Sequence, residues 1–375
     1  MKITVVGAGI MGLSAAWALA RDGHQVSVFE QGPIPNPRGS SVDEHRLIRH
    51  PYGAERGYTR MIRDAYAAWD LLWSDLGRRH YAATGTLVLD RGDRWTATTA
   101  GVLEAEQIPF RRLDPSQLAV DFPLLTTDGL KGGLVLQTGG TLFAGDIVAD
   151  LARHLGTRGV GVSGQTPVRE IDAERGRLTL ASGAEVEADI VVIAAGPWAP
   201  RMLSALKPRV TPSRQVIVYL EPPAECTTQW RAHPMILDID PNAGFYLVPP
   251  RSRADGSPSG LKIGDHSFTL TGDPDRDREA SGDEARHLIR QVGQRLRDIG
   301  RYGLREAKTC FYDVTADERF VVESCGARGW VLSGFSGHGF KFGAVIGLEL
   351  ARTLRGERAG AAFSAWAAGV LQDPP

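Results

Sequence analysis

The sequence predicts an α/β fold of two interwoven parts, a Rossmann-like nucleotide domain and a smaller mixed-sheet domain. Three observations predict it: a strand–glycine turn–helix–strand unit at the start, a β-branched strand at 190–193 running into Ala194-Ala195-Gly196, and strand-like segments between the pieces of the first domain.

In the opening unit the apolar run 3–6 enters Gly7-Ala8-Gly9-Ile10-Met11-Gly12, an alanine-rich helix follows, and a second strand, 25–29, ends on Glu30. Gly7 permits the tight turn, Gly9 admits a pyrophosphate to the backbone, and Gly12 lets helix and strand pack closely. The helix start offers unpaired N–H groups and a positive dipole end to phosphates. Glu30 can accept ribose hydroxyls, and an acid there argues against a 2′-phosphate. Strand, turn, helix, strand and acid in that order predict an adenine dinucleotide.

Composition narrows the function. Over 375 residues, 43 basic against 44 acidic side chains give a net charge of -1, which excludes a nucleic-acid or acidic-membrane surface. There is no basic leader and no apolar run of about 18 residues, so neither secretion nor a membrane span is expected. Cys226, Cys310 and Cys325 form no CxxC pair, so we expect reduced thiols in a cytoplasmic protein, with no metal.

The remaining elements follow in order. Residues 33–40 are a breaker-rich loop. A helix spans about 55–78, with Tyr66, Trp69, Leu72 and Trp73 at core spacing. Strands at 86–89 and 133–137 flank a helix near 96–106. A helix over 143–155 carries Ile147, Leu151 and Leu155. A strand at 168–171 and a hairpin over 176–189 precede the strand at 190–193. Strands at 214–220, 245–248 and 261–264, a long charged helix near 277–299, and a strand at 330–332 with a glycine-rich turn into a helix near Gly343 complete the chain. The expected division is 1–83, 145–205 and 305–375 for the nucleotide domain, and 84–144 and 206–304 for the substrate domain.

Four further motifs stand in register: Arg46-Leu47-Ile48-Arg49-His50-Pro51-Tyr52-Gly53, Gly260-Leu261-Lys262-Ile263-Gly264-Asp265-His266, Thr309-Cys310-Phe311-Tyr312, and the turn Gly334 to Phe342. With them the chain, from Gly7 to about Leu354, resembles the monomeric sarcosine oxidase and N-methyltryptophan oxidase family, among the D-amino-acid-oxidase-like flavoproteins. The resemblance implies FAD, an amino-acid substrate bearing a secondary amine, hydride transfer to the flavin giving an imine, and oxygen reduced to hydrogen peroxide by a monomeric enzyme. A dehydrogenase of the same fold with another electron acceptor, or a flavin-binding sensor without turnover, are the alternatives.

The resemblance also assigns roles. Gly7, Gly9, Ile10, Met11, Gly12, Glu30, Gln31, Ser40, Arg46, Val168, Ala195, Gly196, Trp198, Gly337, His338, Gly339, Phe340 and Lys341 would contact FAD, and Cys310 would bond to the flavin 8α-methyl carbon. The glycine turn would offer N–H groups to the flavin pyrimidine, where reduced flavin carries its charge. Arg49 and Lys341 would hold the substrate carboxylate, a fork and a point charge that also disfavour the ammonium form of the amine. Lys262 would face the flavin and promote reaction with oxygen, while His266, Tyr246 and Tyr312 would wall the substrate pocket. One stretch departs. Where the family shows Ser-His-His-Gly-Asp-Thr, this chain reads Ser40-Ser41-Val42-Asp43-Glu44-His45, so a basic residue is lost at Val42, with His45 as its candidate replacement.

Overall fold

The computed structural model describes residues 1–240, 244–265 and 267–370. The expected nucleotide unit forms as a parallel core. Lys2–Val6 pairs with Gln25–Phe29 on one side and Ile190–Ile193 on the other, and Gly161–Ser163 and Gly329–Ser333 extend the ladder in parallel. Val321–Ser324 closes the six-stranded sheet antiparallel to Gly329–Ser333. Ile10–Arg21 is buried on nearly all sides, which its alanines permit. Helices Ala144–Thr157, Gly343–Leu354 and Arg56–Leu76 complete that layer, and the Trp69 and Trp73 stripe packs as core. Trp69 also donates its indole N–H to the Lys341 carbonyl at 2.7 Å, tying helix to glycine turn.

The second sheet has eight strands, running Gly303–Val314, Thr211–Glu221, Leu261–Asp265, Phe245–Val248, Met235–Asp238, Thr86–Asp90, Gly132–Leu136 and Arg111–Leu113. Its period-2 alternation separates two faces. Val218, Leu220, Leu261, Ile263, Phe245 and Leu247 pack on one side with Ala285, Leu288 and Val292 of the helix Gly282–Gly293. Tyr219, Lys262, Tyr246, Lys308, Cys310 and Tyr312 take the alternate positions. Register sets Tyr219 opposite Lys262, and Gln215 opposite Cys310.

Two expectations change. Gly303–Val314 pairs along the length of Thr211–Glu221, so it belongs to the second sheet although residues from 305 were assigned to the nucleotide part. The charged helix near 277–299 shrinks to Gly282–Gly293. A Ser281–Glu284 capping box starts it, and the preceding stretch is held as a turn, with Arg201 on Asp273 and Arg214 on the Glu279 carbonyl.

Candidate active site

The dinucleotide cavity is built at the carboxyl ends of the parallel strands, as open α/β sheets dictate. Gly7, Gly9, Ile10, Met11, Glu30, Gln31, Ser40, Arg46, Val168, Ala195, Gly196, Trp198, Gly337, Gly339 and Phe340 all line it. Gly7 has φ 104°, and a Cβ there would lie 2.4 Å from the Ala194 carbonyl oxygen. Gly12 lies off the cavity and serves packing, since its Cβ would meet the Gly7 carbonyl oxygen at 1.9 Å. Glu30 accepts from the N–H groups of Ala8 at 2.8 Å and Gly32 at 3.0 Å and from Asn36 Nδ2 at 2.8 Å. A carboxylate has about four acceptor sites, so one remains for a ribose hydroxyl. Helix start, buried acid and glycine wall fit FAD.

Sequence reasoning missed three residues here. Asn36 orients Glu30, and its signal was an Asn inside a Pro-rich loop. Ser41 accepts the Ile10 N–H at 2.9 Å. Asp313 accepts from the Gly334 N–H at 2.8 Å and from Ser333 Oγ at 3.2 Å, anchoring the glycine turn, and burial lifts its carboxyl to about 6.

A second cavity of about 380 Å³ shares Arg46, Tyr312, Gly337 and Phe340 with the first. Arg49, Tyr246, Lys262, Tyr312 and Lys341 line it, as do Tyr52, Trp95 and Glu318, which had not been singled out. His338 and Lys341 were expected on the dinucleotide. Both line this second cavity and not the first, which for Lys341 is also where a residue for the substrate carboxylate was expected. His266 lies outside the described residues.

Arg49 and Lys341 are both buried, and neither forms an ion pair among the described residues. Arg49 donates to the Pro51 carbonyl and lies 4.5 Å from the Tyr52 ring centroid. Lys341 donates to Tyr52 Oη at 3.0 Å and to the His338 carbonyl at 2.8 Å. Burial, and then the Arg49 charge, drive the Lys341 ammonium well below the usual lysine range; burial also lowers Arg49.

Lys262 is differently placed. Its ammonium donates to Asp43 Oδ2 at 2.5 Å and to the His45 carbonyl at 3.0 Å. Burial, then Arg46, bring it down to about 8, against the pull of Asp43. Burial alone would raise Asp43, but Lys262, Arg46 and Lys308 together hold it well below the carboxylate range. His45 does not replace the lost basic residue. It is fully buried with Nε2 3.2 Å from the Gly260 carbonyl, and burial pushes it down to about 3, leaving it neutral.

Cys310 is buried and lines neither of these cavities. It opens onto an adjoining one that shares Gly39, Val42 and Arg46 with the dinucleotide cavity, and Arg46 Nη2 reaches its Sγ at 3.5 Å. Tyr312, two positions on and on the same strand face, lines both main cavities.

Comparison with known proteins agrees with this fold. Residues 2–353 match the DAO family model, FAD dependent oxidoreductase. Monomeric sarcosine oxidase from Bacillus sp. (strain NS-129) is 27% identical over 361 residues, covering 93% of this chain and 92% of that protein. N-methyl-L-tryptophan oxidase from Yersinia pestis (strain Pestoides F) is 26% identical over 92% of each chain. The crystal structure of L-proline dehydrogenase from P. horikoshii shares the fold, with a TM-score of 0.83, 19% identity, and coverage of 98% of this chain and 96% of that one. The chain belongs to the DAO family of FAD-dependent oxidoreductases.

Proposed function

We propose that the protein oxidises a secondary amino acid, N-methyl or cyclic, and passes the electrons to oxygen. The observation that carries this reading is the pair Arg49 and Lys341, two buried cations that form no ion pair among the described residues, with Glu318 acting on Arg49 from beyond ion-pair distance, on a cavity that adjoins the dinucleotide. Buried charge is costly unless paired, and a substrate carboxylate supplies the partner. Arg49 fixes its plane and Lys341 adds charge. The same cations disfavour an ammonium on the bound amine, so the nitrogen lone pair is free. Tyr246 and Tyr312 wall the space beside it.

When bound, FAD supplies the hydride acceptor for the carbon next to nitrogen. Water then hydrolyses the imine, and oxygen leaves as hydrogen peroxide. Lys262 is the cation for the oxygen step, and Cys310, with Arg46 on its sulfur, is the covalent tether. The relatives named for sarcosine and N-methyl-L-tryptophan support a secondary amine, and the name of the first supports a monomer. Three free cysteines suit the reducing cytoplasm.

Anaerobic mixing with N-methyl, cyclic and primary amino acids, followed by flavin absorbance, tests the reading. Bleaching by secondary amino acids, and colour restored promptly by air, are expected. No bleaching by any of them overturns the substrate class, and slow recovery in air overturns oxygen as acceptor. Acid precipitation should leave a yellow pellet that Cys310→Ser renders colourless; a colourless wild-type pellet rejects the tether.

A further inference from the structure

We propose that Asp43 is the positioning residue of the oxygen half-reaction: it holds the Lys262 ammonium in place and keeps it charged. This rests on the reading of Lys262 given above. Asp43 stands in the stretch that departs from the family pattern, and its side chain is 1% exposed. Oδ2 takes Lys262 at 2.5 Å and Arg46, while Oδ1 takes Tyr219 Oη at 2.6 Å, the Glu44 N–H at 2.9 Å and Lys308 at 3.0 Å. One carboxylate thus serves three cations drawn from three strands.

The groups around Lys262 explain why this matters. Asp43, His45 and Arg46 approach from the loop and its strand, Tyr219 from Thr211–Glu221, Tyr246 from Phe245–Val248, and Lys308 and Cys310 from Gly303–Val314. His45 is neutral and Arg46 repels. Asp43 is the one carboxylate in contact with Lys262 among the described residues. Without it, burial and Arg46 lose their main opponent and the lysine gives up its proton at lower pH.

The experiment follows two readouts in the flavin-loaded protein against pH: the rate of reoxidation by oxygen, and the Nζ resonance of Lys262 after 15N-lysine labelling, assigned with Lys262→Met. In the wild type both should change as pH rises through about 8. Asp43→Asn should move that limb down by about one pH unit or more. Lys308→Met, which removes a competing cation from Asp43, should move it up. The opposed shifts distinguish charge control from general damage, and Lys308→Met carries the test if Asp43→Asn does not fold. Unmoved limbs in the folded variants overturn the role of Asp43. If Lys262→Met reoxidises as fast as wild type, the reading of Lys262 fails, whereas the resonance still reports whether Asp43 sets its charge.

Discussion

Two basic clusters each lend side chains to the second cavity, Arg49 and Lys341 from one and Lys262 and Arg46 from the other, with opposite electrostatic designs. At one end Arg49 and Lys341 are buried with neutral hydrogen-bond partners, the Tyr52 hydroxyl and backbone carbonyls, and Glu318 acts on Arg49 from beyond ion-pair distance. At the other, Lys262, Arg46 and Lys308 converge on Asp43. The first cluster lacks a counter-ion that a ligand can bring, so it stores unfavourable desolvation and releases it on binding an anion. The second carries its own counter-ion, so it holds a fixed cation in place whether or not substrate is present. A charge meant to recognise is left unpaired, and a charge meant to stay is paired.

The comparison breaks most visibly in stability. Asp43→Asn takes the shared carboxylate away from Lys262, Arg46 and Lys308 and should lower unfolding free energy by about 3–5 kcal/mol, read by urea denaturation. Lys341→Met should be neutral or stabilising, because it removes a buried charge that has no counter-ion among the described residues. Equal losses in the two variants would erase the distinction. Next in size, Lys262→Met should slow flavin reoxidation at least tenfold, about 1.4 kcal/mol, while anaerobic reduction by substrate is largely kept. Equal losses in both half-reactions would make Lys262 structural or a substrate contact.

The smallest effect sharpens the unpaired end. Lys341 is depressed in the folded state, so between its folded value and the ordinary range near about 10.4 the unfolded chain binds more protons. Stability should therefore rise with pH across that window, by up to about 1.4 kcal/mol per unit. Lys341→Met should lose this slope in pH-resolved melting. An unchanged slope would mean that the Lys341 ammonium is not desolvated.

Much of the fold was legible because its signals are local. The glycine turn and Glu30 fix the first unit within 30 residues, and period-2 alternation puts Lys262, Tyr246 and Tyr312 on one sheet face. What failed depends on distant contacts. The segment ahead of Gly282 reads as charged helix, yet Arg201 and Arg214 hold it as a turn. Strand Gly303–Val314 has no local mark of the sheet it joins. Lys341 and His338 sit in the right motif, but which cavity they meet is decided by the fold of the whole turn against the second sheet. Asp43 was visible only as a departure from a pattern, since Lys262 is 219 residues away along the chain.

Arg49 and Lys341 await a substrate carboxylate. The direct measurement is anaerobic flavin reduction by an N-methyl amino acid and by its methyl ester, in wild type and Arg49→Ala. Truncating one side of a desolvated charge pair costs about 2–5 kcal/mol. The acid should therefore lose on the order of 30-fold or more in productive binding in the variant, and Arg49→Lys should recover only part of it. The ester should bind wild type poorly and lose little further. The variant should also need higher pH for the same reduction rate, because a less cationic pocket leaves the amine more protonated. If acid and ester lose equally and the pH profile stays put, Arg49 does not hold the carboxylate and the claim is wrong.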